Sequence, residues 1–517
     1  MILSDLLKEI YKKPLPEASG NLSIETISCD SRQKQVQGFF VALSGYKVNG
    51  EDFIKDAIHQ GAVVIAKKGA NRRISKPMSF PNASVGNLEV ANPGPPIETF
   101  GGDSLEYIIP DSVVVLDVED PKSFLREITL RFYDHPSRKV RVVGVTGTNG
   151  KTTITYLLEN IFKVNDQDSA VIGTINYRVA GRVVPSKNTT PGFLENQSLL
   201  NDLALAKIPY CTMEVSSHAL DQGRVDGIDF VSAIFTNLTQ DHLDYHKDME
   251  NYFKAKSILF QTLNSSSSAI INLDDAYGQR LLGLTKGRSC TYGIKSQADV
   301  RAIHIRYSLK GTELDLVFPK GAISIRTGFI GEHNVYNILA AAACAYQEGV
   351  ALNKIRQGIQ GLGCVPGRLE PVNGSQNFFV FIDYAHTPDG LINVLKALRV
   401  VSSNKIILVF GCGGDRDKTK RPLMGKAAGE LADHSIITSD NPRSEEPAAI
   451  IEDIQAGFMK SNYEIIVDRK EAIAHALKLA KPFEIVLIAG KGHEDYQIFK
   501  DHRIDFNERQ IVLDLLH

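Results

Sequence analysis

Residues 142–154 read VVGVTGTNGKTTI. A β-branched run passes through closely spaced glycines into Lys151-Thr152-Thr153, and an amphipathic stretch follows with Leu157, Leu158, Ile161 and Phe162 on one face. A buried strand, a tight turn and a helix must therefore succeed one another within a few residues. Such a turn aims backbone N–H groups and the positive end of the helix dipole at an anion. The usual phosphate-loop pattern, G-x-x-x-x-G-K-[ST], is not met, because Val145 stands where its first glycine belongs. The glycines present are Gly144, Gly147 and Gly150. With strand, loop, Lys-Thr and helix in the right order, the segment is expected to bind phosphate in spite of the missing glycine. Lys151 would then neutralise β- and γ-phosphate charge, and Thr152 would offer its hydroxyl to Mg²⁺.

The surrounding sequence puts this turn in an α/β protein. Apolar runs at residues 169–173, 231–236 and 269–272 alternate with helical patterns, and a second series follows at 378–382, 405–410, 434–438, 464–467 and 485–489. Both series indicate parallel sheets built from βαβ units, the second of them Rossmann-like and doubly wound. Residues 1–138 have shorter strand-like runs at 39–43 and 62–66 and an amphipathic stretch at 52–59. A Gly-, Pro- and Asn-rich stretch at 82–111 reads as a surface insertion. At 517 residues the chain is too long for one core, and three domains are expected at 1–138, 139–367 and 368–517.

Composition excludes several classes of function. A net charge of −2 gives no basic field for nucleic acid or an anionic membrane. No apolar run is long enough to span a bilayer, and the N-terminus MILSDLLKEIYKK is charged where a signal peptide is apolar. Six scattered cysteines form no C-x-x-C pair and read as the reduced thiols of a cytoplasmic protein.

Other stretches extend the pattern along the chain: MEVSSHALDQGRV (213–225), FTNLTQDHLDYHKDMENYFKAK (235–256), GEHNVYN (331–337), DYAHTPD (383–389), FGCGGDRDKTKRPLMG (410–425), DNPRSEEP (440–447) and AGKGHEDYQ (489–497). Together with GTNGKTT they resemble the Mur ligases, the superfamily that also contains folylpolyglutamate synthetase, in which the first glycine of the usual loop is not required. The resemblance implies three domains: a UDP-binding α/β domain, a central ATPase-like parallel sheet and a C-terminal Rossmann-like domain. It also implies an amide ligase that works through an acyl phosphate. The substrates implied are ATP, a UDP-N-acetylmuramoyl-dipeptide and meso-diaminopimelate, with Mg²⁺ as cofactor. The implied enzyme is a cytoplasmic monomer with neither nucleic acid nor membrane as partner.

The same resemblance assigns residues. Gly147, Thr148, Asn149, Gly150, Lys151, Thr152 and Thr153 would surround the phosphates, with Asn334, Asn337, Arg368 and Asp383 around the rest of the ATP. Glu214 and His242 would bind Mg²⁺ together with Thr152. Lys256, which local sequence alone reads as a solvated lysine, would be carbamylated and serve as an oxygen ligand. Cys29, Ser31, Tyr46, Lys47 and Val48 match contacts to uridine diphosphate. Asn188, Thr189, Thr190, Ser216, Gln222 and Arg224 match contacts to the sugar and peptide. Asp440, Asn441, Pro442 and Arg443, with Arg416, Gly490 and Glu494, match the diaminopimelate site, where DNPR marks diaminopimelate-adding members. Lysine-adding relatives lack that arginine, whose fork suits a distal carboxylate. A lysine-adding ligase and a non-catalytic nucleotide-binding relative remain as alternatives. The second is disfavoured because Lys151, Glu214, His242 and Lys256 are all present.

Overall fold

The computed structural model describes residues 1–16, 19–44, 48–69 and 109–516. The insertion expected at 82–111 therefore falls, up to residue 108, outside the described residues. The chain divides into two compact units, Met1–His135 and Pro136–His517. Residues 136–138, expected in the first domain, belong to the second unit. There the Ser137 hydroxyl donates to the Gly227 carbonyl and Arg138 pairs with Asp229.

The first unit carries four parallel strands in sequential order, β1 (Thr26–Ser28), β2 (Gly38–Val41), β3 (Ala62–Lys68) and β4 (Val114–Val118). The helix Ile54–His59 separates β2 from β3, and Pro121–Phe132 follows β4. Asp120 caps the latter by accepting from the Lys122 N–H, with proline at the first helical position.

The second unit contains two large sheets. One has eleven strands: β5 (Arg141–Thr146), β6 (Ser169–Ile172), β7 (Asn176–Val179), β8 (Arg182–Pro185), β9 (Tyr210–Glu214), β10 (Phe230–Phe235), β11 (Ser268–Asn272), β12 (Arg288–Gly293), β13 (Val300–Ser308), β14 (Gly311–Phe318) and β15 (Gly321–Thr327). Parallel β6, β9, β5, β10, β11, β12 and β13 form its body, and antiparallel hairpins extend both edges. β5 is central, so both faces must be apolar. Val143 and Val145 enter one core with the helices Lys151–Val164, Glu332–Gln347 and Leu352–Gly361. Val142 enters the other, with Phe193–Leu205 and Met249–Gln261.

The second sheet consists of β16 (Glu370–Pro371), β17 (Phe379–Asp383), β18 (Ile406–Phe410), β19 (His434–Ile437), β20 (Tyr463–Ile465) and β21 (Ile485–Ala489). Its order is β16-β17-β21-β18-β19-β20, parallel except at the β16 edge, with helices on both faces. All five strand-like runs read from sequence in this region are strands. A small hairpin of β22 (Tyr496–Ile498) and β23 (Arg503–Asp505) follows. Among the described residues no helix is long and apolar enough to cross a membrane.

Gly358 on Leu352–Gly361 lets that helix pack close against Lys151–Val164: a Cβ there would lie 2.5 Å from the Ile161 Cα. Since the contact atom is backbone, Gly358→Ala should destabilise the second unit by about 1–3 kcal/mol, a typical cost of overpacking. Urea denaturation would read this, and unchanged stability would show that the two helices can move apart freely.

Candidate active site

β5 ends at Thr146, so the strand runs through the position where the usual loop begins, with Val145 fully buried in the core. That packing is why valine stands there: the turn starts later than in the usual pattern. It is made at Gly147 (φ +144) and Gly150 (φ +94), both in the left-handed region that glycine tolerates. A Cβ at Gly147 would meet the Thr236 hydroxyl at 1.8 Å, and one at Gly150 the Asn337 Oδ1 at 2.3 Å. Asn237, just beyond β10, braces the loop, accepting the Thr148 N–H through its carbonyl and the Asn149 N–H through Oδ1. Lys151–Val164 then begins with no side-chain cap. Thr152 and Thr153 are buried in its first turn, and the Lys151 ammonium folds back to donate to the Gly147 and Thr148 carbonyls. Burial lowers the Lys151 pKa, opposed by the charges of Glu214 and Asp241.

The register of β5 with β9 and β10 brings Thr146, Glu214 and Phe235 to one end of the sheet. Glu214 is the last residue of β9 and is buried. Its carboxylate accepts from the Thr174 N–H and hydroxyl, both at 2.9 Å. Beyond β10, His242 takes a left-handed conformation at the start of the short helix Leu243–His246, with its ring 4.9 Å from that of His218. Neighbouring Asp241 also faces the cleft. Lys256, in contrast to the solvated reading of its local sequence, is buried on Met249–Gln261 beneath the loop. Its Nζ donates to the Gly147 carbonyl at 2.9 Å and lies over the Tyr252 ring. Burial pushes its pKa well down, reinforced by the like charge of Lys151, which favours the neutral amine.

The facing wall of the cleft comes from the β16–β21 sheet. Arg368 donates to the Thr152 hydroxyl at 3.1 Å and stacks over Tyr384. Asp383 does not line the cleft; it accepts the Leu369 and Ala385 N–H groups behind it, and burial raises its pKa to about 6. Asn334 and Asn337 are likewise buried off the cleft, Asn337 bonded to Asn334 and set under Gly150. Asp389 joins the two walls, accepting from Asn149 and Thr239, and burial raises its pKa.

The cleft encloses about 830 Å³. Of the residues matched to sugar and peptide, Asn188, Thr189, Ser216 and Arg224 line it. Thr190 is buried behind them, accepting the Ser216 N–H, and exposed Gln222 accepts from Arg224. At the other end stand Arg416, Asp440, Asn441, Arg443, Gly490 and Glu494. Asn441 is the hub there: its Nδ2 donates to Glu494, and its Oδ1 accepts from Lys491 and the Ile498 N–H. Pro442 is buried, its carbonyl tight against Gly414. Arg443 donates to the Gly414 carbonyl, and Glu445 is held instead by Arg421 and Lys418. Lys491 and Arg469 outweigh burial at Asp440 and hold its pKa low. In the first unit Ser31 is buried, while Cys29 and Val48 are exposed. Tyr46 and Lys47 lie outside the described residues.

Sequence reading missed several cleft residues, among them Thr174, His218, Asp241, His386, Asp389 and Lys420. Thr174 carries no local signal, His218 stands within the 213–225 stretch without a role assigned to it, and Asp389 acquires a role only when the two sheets meet. Among the described residues, no three His, Cys, Asp or Glu side chains form a metal-ligand cluster. Only two residues of the implied Mg²⁺ set are of those types.

Comparison with known proteins matches three family models: the Mur ligase family catalytic domain over residues 23–133, the Mur ligase middle domain over 145–345 and the Mur ligase glutamate ligase domain over 367–492. A protein of Clostridium acetobutylicum named UDP-N-acetylmuramoyl-L-alanyl-D-glutamate--2,6-diaminopimelate ligase 1 is 42% identical, across 96% of this chain and 95% of its own. The ligase of that name from Caldanaerobacter subterraneus is 41% identical over 100% and 99%. A solved structure of an enzyme of that name superposes with a TM-score of 0.66 at 32% identity, covering 100% of this chain and 99% of the other. MurF from Acinetobacter baumannii, at 19% identity and a TM-score of 0.64 over 95% of each chain, shares the fold.

Gly150→Ala would force a side chain into the left-handed region and against Asn337. ADP affinity by calorimetry should fall roughly tenfold or more, since strain of order 1–3 kcal/mol would be relieved by moving the loop. Unchanged ADP affinity in the folded variant would mean that this turn does not hold the phosphates.

Proposed function

The chain belongs to the Mur ligase family, and from that premise we propose that it is an ATP-dependent amide ligase. It adds meso-diaminopimelate to the D-glutamyl carboxylate of UDP-N-acetylmuramoyl-L-alanyl-D-glutamate, releasing ADP and phosphate, as a step of peptidoglycan synthesis. The observation that carries this reading is that a single cleft gathers the loop residues Thr148–Thr152, the buried carboxylate of Glu214 and the guanidinium of Arg443. The nucleotide-linked substrates put the reaction in the cytoplasm.

The substrate carboxylate attacks the γ-phosphorus of ATP, ADP leaves, and an acyl phosphate results. The free amine of the incoming amino acid then attacks the acyl carbon, phosphate departs with the C–O bonding pair, and the amine proton passes to water as the amide forms. The loop N–H groups and the helix N-terminus hold the phosphates. Lys151 exchanges its carbonyl acceptors for phosphate oxygens, and Arg368 brings a second cation from the facing wall. Closure of the two walls through Asn149, Thr239 and Asp389 keeps water from the acyl phosphate.

The residues present fit a divalent cation. Among the described residues the buried carboxylate of Glu214 is bonded only to the neutral donors of Thr174, and with the Thr152 hydroxyl it offers hard oxygen ligands. Thr152, Glu214, His242 and a carbamylated Lys256 would hold Mg²⁺. When bound it would offset the repulsion between triphosphate and substrate carboxylate. For the carbamate, the neutral Lys256 amine attacks carbon dioxide; the N–C bond forms, one C–O electron pair moves to oxygen and the amine proton goes to water. At the far end of the cleft, Arg443 pairs with the distal carboxylate of diaminopimelate and Glu494 with the ammonium beside it.

The deciding experiment is ATP turnover with the muramoyl-dipeptide and each candidate amino acid in turn; wild-type enzyme that adds lysine as efficiently as diaminopimelate would overturn the substrate assignment. Lys151→Ala should remain folded with turnover reduced by several orders of magnitude, and near-normal activity would contradict the loop's role. Lys256→Ala should be nearly inactive, with partial rescue by a short-chain carboxylate that takes the vacated ligand position. Mass evidence for unmodified lysine in active enzyme would refute the carbamate. Arg443→Ala should lose diaminopimelate use by roughly a hundredfold or more, since a carboxylate is left unpaired, with ATP binding scarcely changed.

A further inference from the structure

Two stretches form the far end of the cleft, residues 440–443 after β19 and residues 490–494 after β21. Both begin at a carbonyl bonded to the same guanidinium. Arg469, first residue of the helix Arg469–Leu479, has a side chain with no solvent exposure and does not line the cleft. Its Nη2 donates to the Ala489 carbonyl at 2.8 Å, its Nη1 to the Ser439 carbonyl at 3.4 Å, and its Nε to Glu508 Oε1 at 2.7 Å. Glu508, equally buried, opens the helix Glu508–Leu516. The two carbonyls immediately precede Gly490 and Asp440. These residues touch closely: a Cβ on Gly490 would lie 2.7 Å from Asp440 Oδ2.

We propose that Arg469 is a positioning residue for the amino-acid substrate, setting the spacing between the 440–443 and 490–494 segments, with Glu508 anchoring it from behind. The inference rests on the reading of this end of the cleft as the amino-acid site. A planar guanidinium holds three acceptors at fixed angles, which a single ammonium cannot reproduce. If the spacing relaxes, Arg443 and Glu494 no longer present themselves together, and binding of a substrate that must satisfy both weakens. The loop at Gly147–Thr153 lies on the other sheet and has no bond to Arg469, so nucleotide binding is untouched.

The test measures KM for ATP, for the UDP-linked dipeptide and for whichever amino acid the wild-type enzyme adds. Arg469→Lys should raise the amino-acid KM tenfold or more and leave the other two within about twofold. The paired replacement of Arg469→Met with Glu508→Leu removes both buried charges together, so the protein should still melt as a folded unit while the amino-acid KM stays raised. A wild-type amino-acid KM in either folded variant, an equal rise in all three KM values, or loss of folding in both variants would overturn the inference and leave a core ion pair. Wild-type enzyme that adds an amino acid other than diaminopimelate would overturn the substrate reading alone, because the same KM split is still measured.

Discussion

The positive end of the Lys151–Val164 helix is the point on which the second unit depends. No side chain caps it, and the helix body is sealed into the core by Ile154, Leu157, Leu158, Ile161 and Phe162. A buried helix whose first N–H groups are left for a ligand keeps its dipole unscreened, and dipole and donors together select an anion. The rest of the sheet follows from aiming that end. β5 must be central and apolar on both faces, and the loop must turn without a Cβ at Gly147 and Gly150. Asn237, Asn337 and Thr236 occupy the space those missing atoms leave.

Charge is then arranged about this end in a way that a protein interior tolerates only with partners. Lys151 and Lys256 approach the same Gly147 carbonyl, and burial weakens the hold of each on its proton. Glu214 is buried opposite them with hydroxyl and amide donors and, among the described residues, no bonded cation. Across the cleft Asp383, bonded to two backbone N–H groups, shapes the turn that carries Arg368. Such groups raise the free energy of the isolated protein, and they mark a surface made to be completed by charged ligands.

At the opposite end the charges are closed rather than open. Behind the cleft the buried guanidinium of Arg421 pairs with Glu445 and Asp453, and that of Arg469 with Glu508. Among the residues facing the cleft, Arg443 is left with carbonyl acceptors while Glu445 is occupied elsewhere. One end of the cleft thus presents backbone dipoles, and the other presents charged side chains backed by buried ion pairs.

Much of this was legible in the residues themselves. β-branched runs at 142–146, 231–236, 406–410 and 485–489 had to be buried parallel strands, because only a sheet covered on both faces suits them. Gly147, Gly150, Lys151 and Thr152 carried their own chemistry, since a turn and a helix end are local objects. What tertiary structure alone decided was every relation that crosses the sheets. Lys256 looks like a surface lysine in its helix and is buried only because Met249–Gln261 packs beneath the loop. Asn334, Asn337 and Asp383 lie behind the cleft lining, and their contacts to the loop and the turn could not be read from the chain. Thr174 and Arg469 gave no signal at all, and Asp389 lay in the 383–389 stretch with no role of its own. Local sequence encodes dihedral preference and apolar period, whereas burial, charge pairing and the fit of one loop against another depend on residues far apart in the chain, which meet only when the cores close.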